Sequence, residues 1–87
     1  MIKDTVVVTD KIGFHARTAS LFAKKAGEFE STVQVSFNDK TVNGKSMLGI
    51  MTLGVKSDTA VEIMVDGQDE KQALEVLVDL IDNNFNI

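Results

Sequence analysis

The chain has 87 residues, 44% of them hydrophobic and 25% charged, with a formal net charge of -4 at pH 7. That length leaves room for one small domain with a single core, residues 1–87. The absence of cysteine excludes disulfides and thiolate metal sites, and the acidic balance argues against nucleic acid as the main partner. No apolar run approaches the roughly 20 residues that span a bilayer. Met1-Ile2-Lys3-Asp4 lacks the apolar core of a signal peptide, so a cytoplasmic protein without membrane insertion is expected.

Taken in order, residues 2 to 8 read as a strand that sends Val6 and Val8 inward, and Asp10-Lys11-Ile12-Gly13 as the turn leaving it. A helix follows from about Ala16 to Ala26, with Ala19, Phe22, Ala23 and Ala26 on its apolar face. Lys24 and Lys25 favour its last turn, and Gly27 suits its C-cap. Ser31 to Phe37 alternates, with Val33, Val35 and Phe37 on one face, and Asn38-Asp39 turns the chain into Lys40-Thr41-Val42. Between Ser46 as N-cap and Gly54 as C-cap there is room for a helix of about two turns. Ala60 to Val65 is a further strand, with Val61, Ile63 and Val65 inward. After the Asp66-Gly67 turn, Asp69 opens a last helix with Gln72 at the capping-box position. Its apolar stripe is Ala73, Leu74, Leu77, Leu80 and Ile81.

The order is therefore β-α-β-β-α-β-α. Alternating strands bury one face of a sheet and wet the other, and two amphipathic helices need that buried face. An α+β open-faced β-sandwich follows, four strands with the helices on one side.

The stretch Gly13-Phe14-His15-Ala16-Arg17 carries the chemistry. His15 is the only histidine, and it stands near the N-cap of the first helix. There the first backbone N–H groups lack internal partners and the helix dipole is positive, which together favour an anion. That end of a helix disfavours a charged ring, which leaves an imidazole nitrogen with a free lone pair, and such a nitrogen is a nucleophile. A phosphoryl group taken up there meets the amides of Ala16 and Arg17 and the guanidinium fork of Arg17. The candidate catalytic residues are thus His15, as phosphoryl acceptor, and Arg17. The plainer reading makes His15 a helix cap and Arg17 a solvated charge.

In Lys45 to Gly54 the apolar residues lie all round a helix too short to be buried on every side. Some of Met47, Leu48, Ile50, Met51 and Leu53 must then be exposed, as on a contact surface. From the residues alone, Ile50 and Leu53 read equally well as core. Ser46 reads first as a cap.

Gly13-Phe14-His15-Ala16-Arg17, with Asn43-Gly44-Lys45-Ser46-Met47-Leu48-Gly49-Ile50-Met51 at the matching distance, closely resembles the HPr family. These are the histidine-phosphorylated carriers of the bacterial phosphoenolpyruvate:sugar phosphotransferase system, and the resemblance covers essentially the whole chain. It implies strand order 1-4-2-3, antiparallel throughout. It further implies a phosphoryl group accepted on His15 from Enzyme I and passed to EIIA components of sugar permeases. The protein is then a covalent carrier, not a free-standing enzyme, with no cofactor and no metal. The resemblance points to Ser46 as a regulatory phosphorylation site, with HPr kinase/phosphorylase and a catabolite-control transcription factor as partners. It also implies a docking patch of Phe14, Ser20, Lys24, Met47, Leu48 and Met51.

One residue departs from the family pattern: Thr18 stands where the family has proline. The third helical position tolerates proline, so Thr18→Pro is expected to stabilise by about 0.4–1 kcal/mol and to leave transfer intact. Two other readings stand beside the carrier. One is a purely regulatory module of the same fold acting through phosphorylated Ser46. The other is an unrelated α+β domain whose histidine is only a cap.

Overall fold

The computed structural model describes residues 1–85, so the last two residues of the expected unit lie outside the described residues. The elements are β1 (Ile2–Val8), α1 (Ala16–Ala26), β2 (Thr32–Phe37), β3 (Lys40–Asn43), α2 (Met47–Thr52), β4 (Thr59–Asp66) and α3 (Glu70–Asp82). The strands form one antiparallel sheet in the order β1-β4-β2-β3, and the fold is the open-faced sandwich expected.

Period-two patterning sets the register. Val6 lies opposite Val61, Val33 opposite Val65 and Val35 opposite Ile63, so one face carries a continuous β-branched surface. Phe22, Ala19 and Ala26 of α1 and Ala73, Leu77, Leu80 and Ile81 of α3 close over that face. Each large side chain taken from water here contributes about 1.5–3 kcal/mol. Leu74 and Phe37 pack only at its margin. Ile50 and Leu53 belong to the core, at 0% and 5% exposure, which decides the question the sequence left open. No described helix is long and apolar enough to cross a membrane.

Asn38 and Asp39, both at positive φ (53° and 65°), make the β2–β3 turn, the two-residue geometry that matches strand twist. Gly27 caps α1 with ordinary right-handed backbone (φ -66°). At the end of α2 the cap is Leu53, and Gly54 follows in the left-handed conformation at φ 68°.

The expected capping box at α3 does not form. Asp69 stands at the N-cap but makes no side-chain cap bond to its own helix. Its carboxylate instead accepts from the amides of Glu30 (2.9 Å) and Ser31 (3.0 Å) and from the Ser31 hydroxyl. β2 consequently begins at Thr32, because Ser31 is spent on this link. Gln72 stays exposed.

The Ser31 hydroxyl, with the Glu30 and Ser31 amides, holds the Asp69 carboxyl below its ordinary value of 3.8. On acidification the unfolded chain therefore binds this proton before the folded one does. Stability tied to Asp69 is present above about pH 4 and is lost as pH falls through the lower folded value. Urea unfolding from pH 7 to pH 2 should show Asp69→Asn losing less stability over the acid range than wild type. Parallel curves would show that the link carries no acid sensitivity.

Candidate functional site

The site begins where β1 ends. The turn after it is fixed by Asp10, whose backbone C=O accepts from the Gly13 N–H (3.0 Å) and whose carboxylate accepts from the Ile12 N–H (3.0 Å). Gly13 takes φ 84° and lies against the backbone of Val55 and Lys56, while the Phe14 N–H donates to the Val55 C=O at 3.0 Å. That contact pins the segment before α1 to the α2–β4 connection.

The chain then turns into α1 with His15 as N-cap in extended backbone (φ -123°, ψ -173°). Ala19 makes the first intrahelical bond, its N–H donating to the His15 C=O at 2.8 Å. The amides of Ala16 and Arg17 precede it and are left unpaired by helix geometry. Ala16 and Arg17 are exposed and His15 is half-buried, so imidazole and free amides share one accessible helix end. Among the described residues no carboxylate lies within ion-pair distance of Arg17, which keeps its guanidinium fork available for an anion.

Thr18 is fully buried and holds this end together. Its hydroxyl accepts from the His15 N–H at 3.1 Å and donates to the Gly13 C=O at 2.9 Å. His15 and Thr18 face one another as a capping box, the ring toward the Thr18 backbone N–H. The expectation that residue 18 stands apart from the histidine is therefore corrected: its side chain bridges the residues on which His15 is mounted.

Phe14 is also corrected. It was expected in the docking patch, but it is 6% exposed and packs edge-on against Phe22 (5.7 Å) and Phe85 (5.9 Å). An aromatic ring between a strand turn and a helix gains more from the core than from water, and here it anchors the loop that carries the histidine.

The other residues read from the sequence surround the site on the surface. Ser20 and Lys24 are exposed along α1. On α2, Met47, Leu48 and Met51 are 38%, 71% and 38% exposed, an apolar cluster facing solvent. Ser46 caps that helix, its hydroxyl oxygen accepting from the Gly49 N–H at 3.1 Å. The Lys45 ammonium is engaged by the Phe29 C=O at 2.8 Å. Because α1 packs on α2, the histidine end and the apolar cluster belong to neighbouring elements.

Asp10 was not singled out by sequence. Its carboxylate lies 3.5 Å from His15 Nε2, with side-chain exposures of 15% and 28%. An aspartate opening a turn two residues before a donating amide was the available signal, since that bond aims the carboxylate back over the loop.

The chain matches the family model for the PTS HPr component phosphorylation site over residues 2–83. It is 41% identical over 85 residues to phosphocarrier protein HPr of Neisseria meningitidis, covering 98% of this chain and 96% of that protein. The crystal structure of HPr from Thermoanaerobacter tengcongensis superposes with a TM-score of 0.96 at 41% identity, covering 100% and 98% of the two chains. The solution structure of Crh, the Bacillus subtilis catabolite repression HPr, gives a TM-score of 0.67 at 39% identity, covering 92% and 95%. The chain belongs to the HPr family, the phosphocarrier proteins of the phosphotransferase system.

Proposed function

We propose that this protein, as one domain over residues 1–87, accepts a phosphoryl group on His15 from Enzyme I and hands it to EIIA components in the cytoplasm. The observation that carries the reading is the histidine at the mouth of α1 beside the open amides of Ala16 and Arg17. Those amides, the helix dipole and the Arg17 fork stabilise the incoming phosphate oxygens. No cofactor or metal takes part in this reading. Because the site is shallow and accessible, the remainder of the chemistry comes from the partner, and transfer proceeds through brief docking.

The docking face is Ser20 and Lys24 on α1 with Met47, Leu48 and Met51 on α2. An exposed apolar cluster rimmed by polar residues is the usual form of a protein contact. Phe14 supports that face from beneath. The test is incubation with phosphoenolpyruvate and Enzyme I. Wild type should take up acid-labile phosphate and His15→Ala none, with near-normal folding. Acid-labile labelling that persists in His15→Ala would overturn the reading.

Ser46 is the regulatory site in this reading, modified by an HPr kinase/phosphorylase, and the likeness to Crh favours an added role toward a catabolite-control transcription factor. A phosphate at this cap puts negative charge beside Met47 and Leu48, in the middle of the docking face. Ser46→Asp should keep the fold at wild-type stability, since aspartate is itself a good N-cap. It should slow His15 labelling by about tenfold through weaker docking. Unslowed labelling of both Ser46→Asp and the Ser46-phosphorylated protein would contradict the regulatory reading.

A further inference from the structure

We propose that Phe85, in strained left-handed backbone after α3, is a positioning residue for His15. Its ring holds Phe14, and through Phe14 the segment on which the histidine is mounted. The inference rests on the reading of His15 as the phosphoryl acceptor.

The chain leaves α3 through a paired cap. The Asn84 N–H donates to the Ile81 C=O at 2.9 Å, and the Phe85 N–H donates to the Leu80 C=O at 2.8 Å. Those two bonds close a helix end that needs one residue in left-handed backbone, and Asn84, at φ 56°, is that residue. Phe85 is left-handed as well, at φ 61°, which the cap does not require. A bulky residue there crowds its own backbone, so the conformation persists only where the surroundings hold it. Burial holds it here: Phe85 is 2% exposed and belongs to the core.

The ring so placed meets Phe14 edge-on, with centroids 5.9 Å apart and planes at 69°. Phe22 of α1 meets the same ring at 5.7 Å and 75°. Phe14 is therefore clasped between α1 and the segment after α3, and His15 is the next residue. Backbone bonds tie this segment to Val55 and to the Thr18 hydroxyl. The Phe85 ring adds a hold from the α3 side. Its removal leaves Phe14 a space to move into and takes away an edge-on contact. A shift of Phe14 carries the N-cap residue with it and moves the imidazole relative to the amides of Ala16 and Arg17. Transfer rates fall steeply with small misplacements of this kind.

The test is single-turnover transfer from phosphorylated Enzyme I to wild type, Phe85→Asn and Phe85→Leu, at a temperature where urea curves show each protein folded. Asparagine accepts left-handed backbone but brings no ring, so Phe85→Asn separates the ring from the strain. Its saturating rate should fall about tenfold at an unchanged half-saturating concentration, because the docking face on α1 and α2 is untouched. Phe85→Leu keeps apolar bulk, so it should fold even if Phe85→Asn does not, and should lose about threefold in rate. In a Phe14→Leu background, Phe85→Asn should slow transfer no further, since its effect passes through Phe14. A wild-type saturating rate in the folded variants, a change in half-saturation alone, or an equal fall in both backgrounds would overturn the proposal. Exchange of the His15 N–H with deuterated water gives a readout that needs no donor protein. It should quicken about tenfold in Phe85→Asn, and by more than the β4 amides do. Exchange that quickens no more than in β4 would also overturn the proposal. A wild type that takes no label would count against the carrier reading, while the exchange still decides the role of Phe85.

Discussion

Gly13→Ala should destabilise the protein by about 2–4 kcal/mol, a large part of what a domain of this size has to spend. Two costs add. The residue sits at φ 84°, where a Cβ crowds its own backbone. That Cβ would also meet the backbone of Val55 and Lys56, the latter at 2.7 Å, and backbone does not yield as a flexible side chain does. Relief requires the loop to lift from the α2–β4 connection. The Phe14 N–H bond to Val55 and the ring contacts of Phe14 lie on the same segment. Because the Gly13 C=O accepts the Thr18 hydroxyl, the helix mouth should loosen with it. Urea unfolding of Gly13→Ala checks the size of the effect, with Gly54→Ala as comparison. Gly54 is also left-handed, at φ 68°, but nothing lies within 4 Å of the added Cβ. Its loss should therefore stay near the backbone cost alone, about 1–2 kcal/mol. Equal losses at the two glycines would show that the close approach at Gly13 is unimportant.

Thr18→Val should cost about 1–3 kcal/mol although the side chain keeps its shape, because it strips a buried bridge from two backbone groups. Thr18→Pro should now also destabilise, reversing the sign expected from the family pattern. Proline removes the hydroxyl from the His15 N–H and the Gly13 C=O, and its stiffening of the unfolded chain returns only about 0.4–1 kcal/mol. Both variants should slow His15 labelling, since the residue that carries the ring loses its tether. Thr18→Ser, which keeps the hydroxyl, should retain most of the rate. Paired unfolding and labelling measurements on the three variants decide the matter. A Thr18→Pro protein more stable than wild type would restore the view that threonine here is a neutral replacement.

What sequence disclosed and what it hid divide along the range of the interaction. Val33-x-Val35 and Val61-x-Ile63-x-Val65 announce their strands because alternation is local, and Ala19, Phe22 and Ala26 announce α1 by spacing. Asn38-Asp39 and Ser46 carry their turn and cap in their own side chains. Strand order depends on pairings between distant segments, and no periodicity encodes it; only the family resemblance supplied it. Asp69 was misread for the same reason. Its carboxylate had two sets of amides to choose from, and the winning set lies 38 residues away at Ser31. Phe14 was legible as large and apolar, but its direction depends on where Phe22 and Phe85 arrive. At the site itself, His15 and Arg17 stood out by type and position. Thr18 did not, because its part is to bridge His15 and Gly13, and Asp10 did not, because it comes within 3.5 Å of the ring only once the turn is folded.

The central claim is that the phosphoryl group on His15 is in transit, and one measurement tests it most directly. The protein is phosphorylated with phosphoenolpyruvate and Enzyme I, separated from both, and mixed with an EIIA domain while the acid-labile label is followed. The label should leave this chain and appear on EIIA, and His15→Ala should carry none from the start. A label that stays on the chain in the presence of acceptor, or that survives acid and maps to Ser46, would contradict the carrier function.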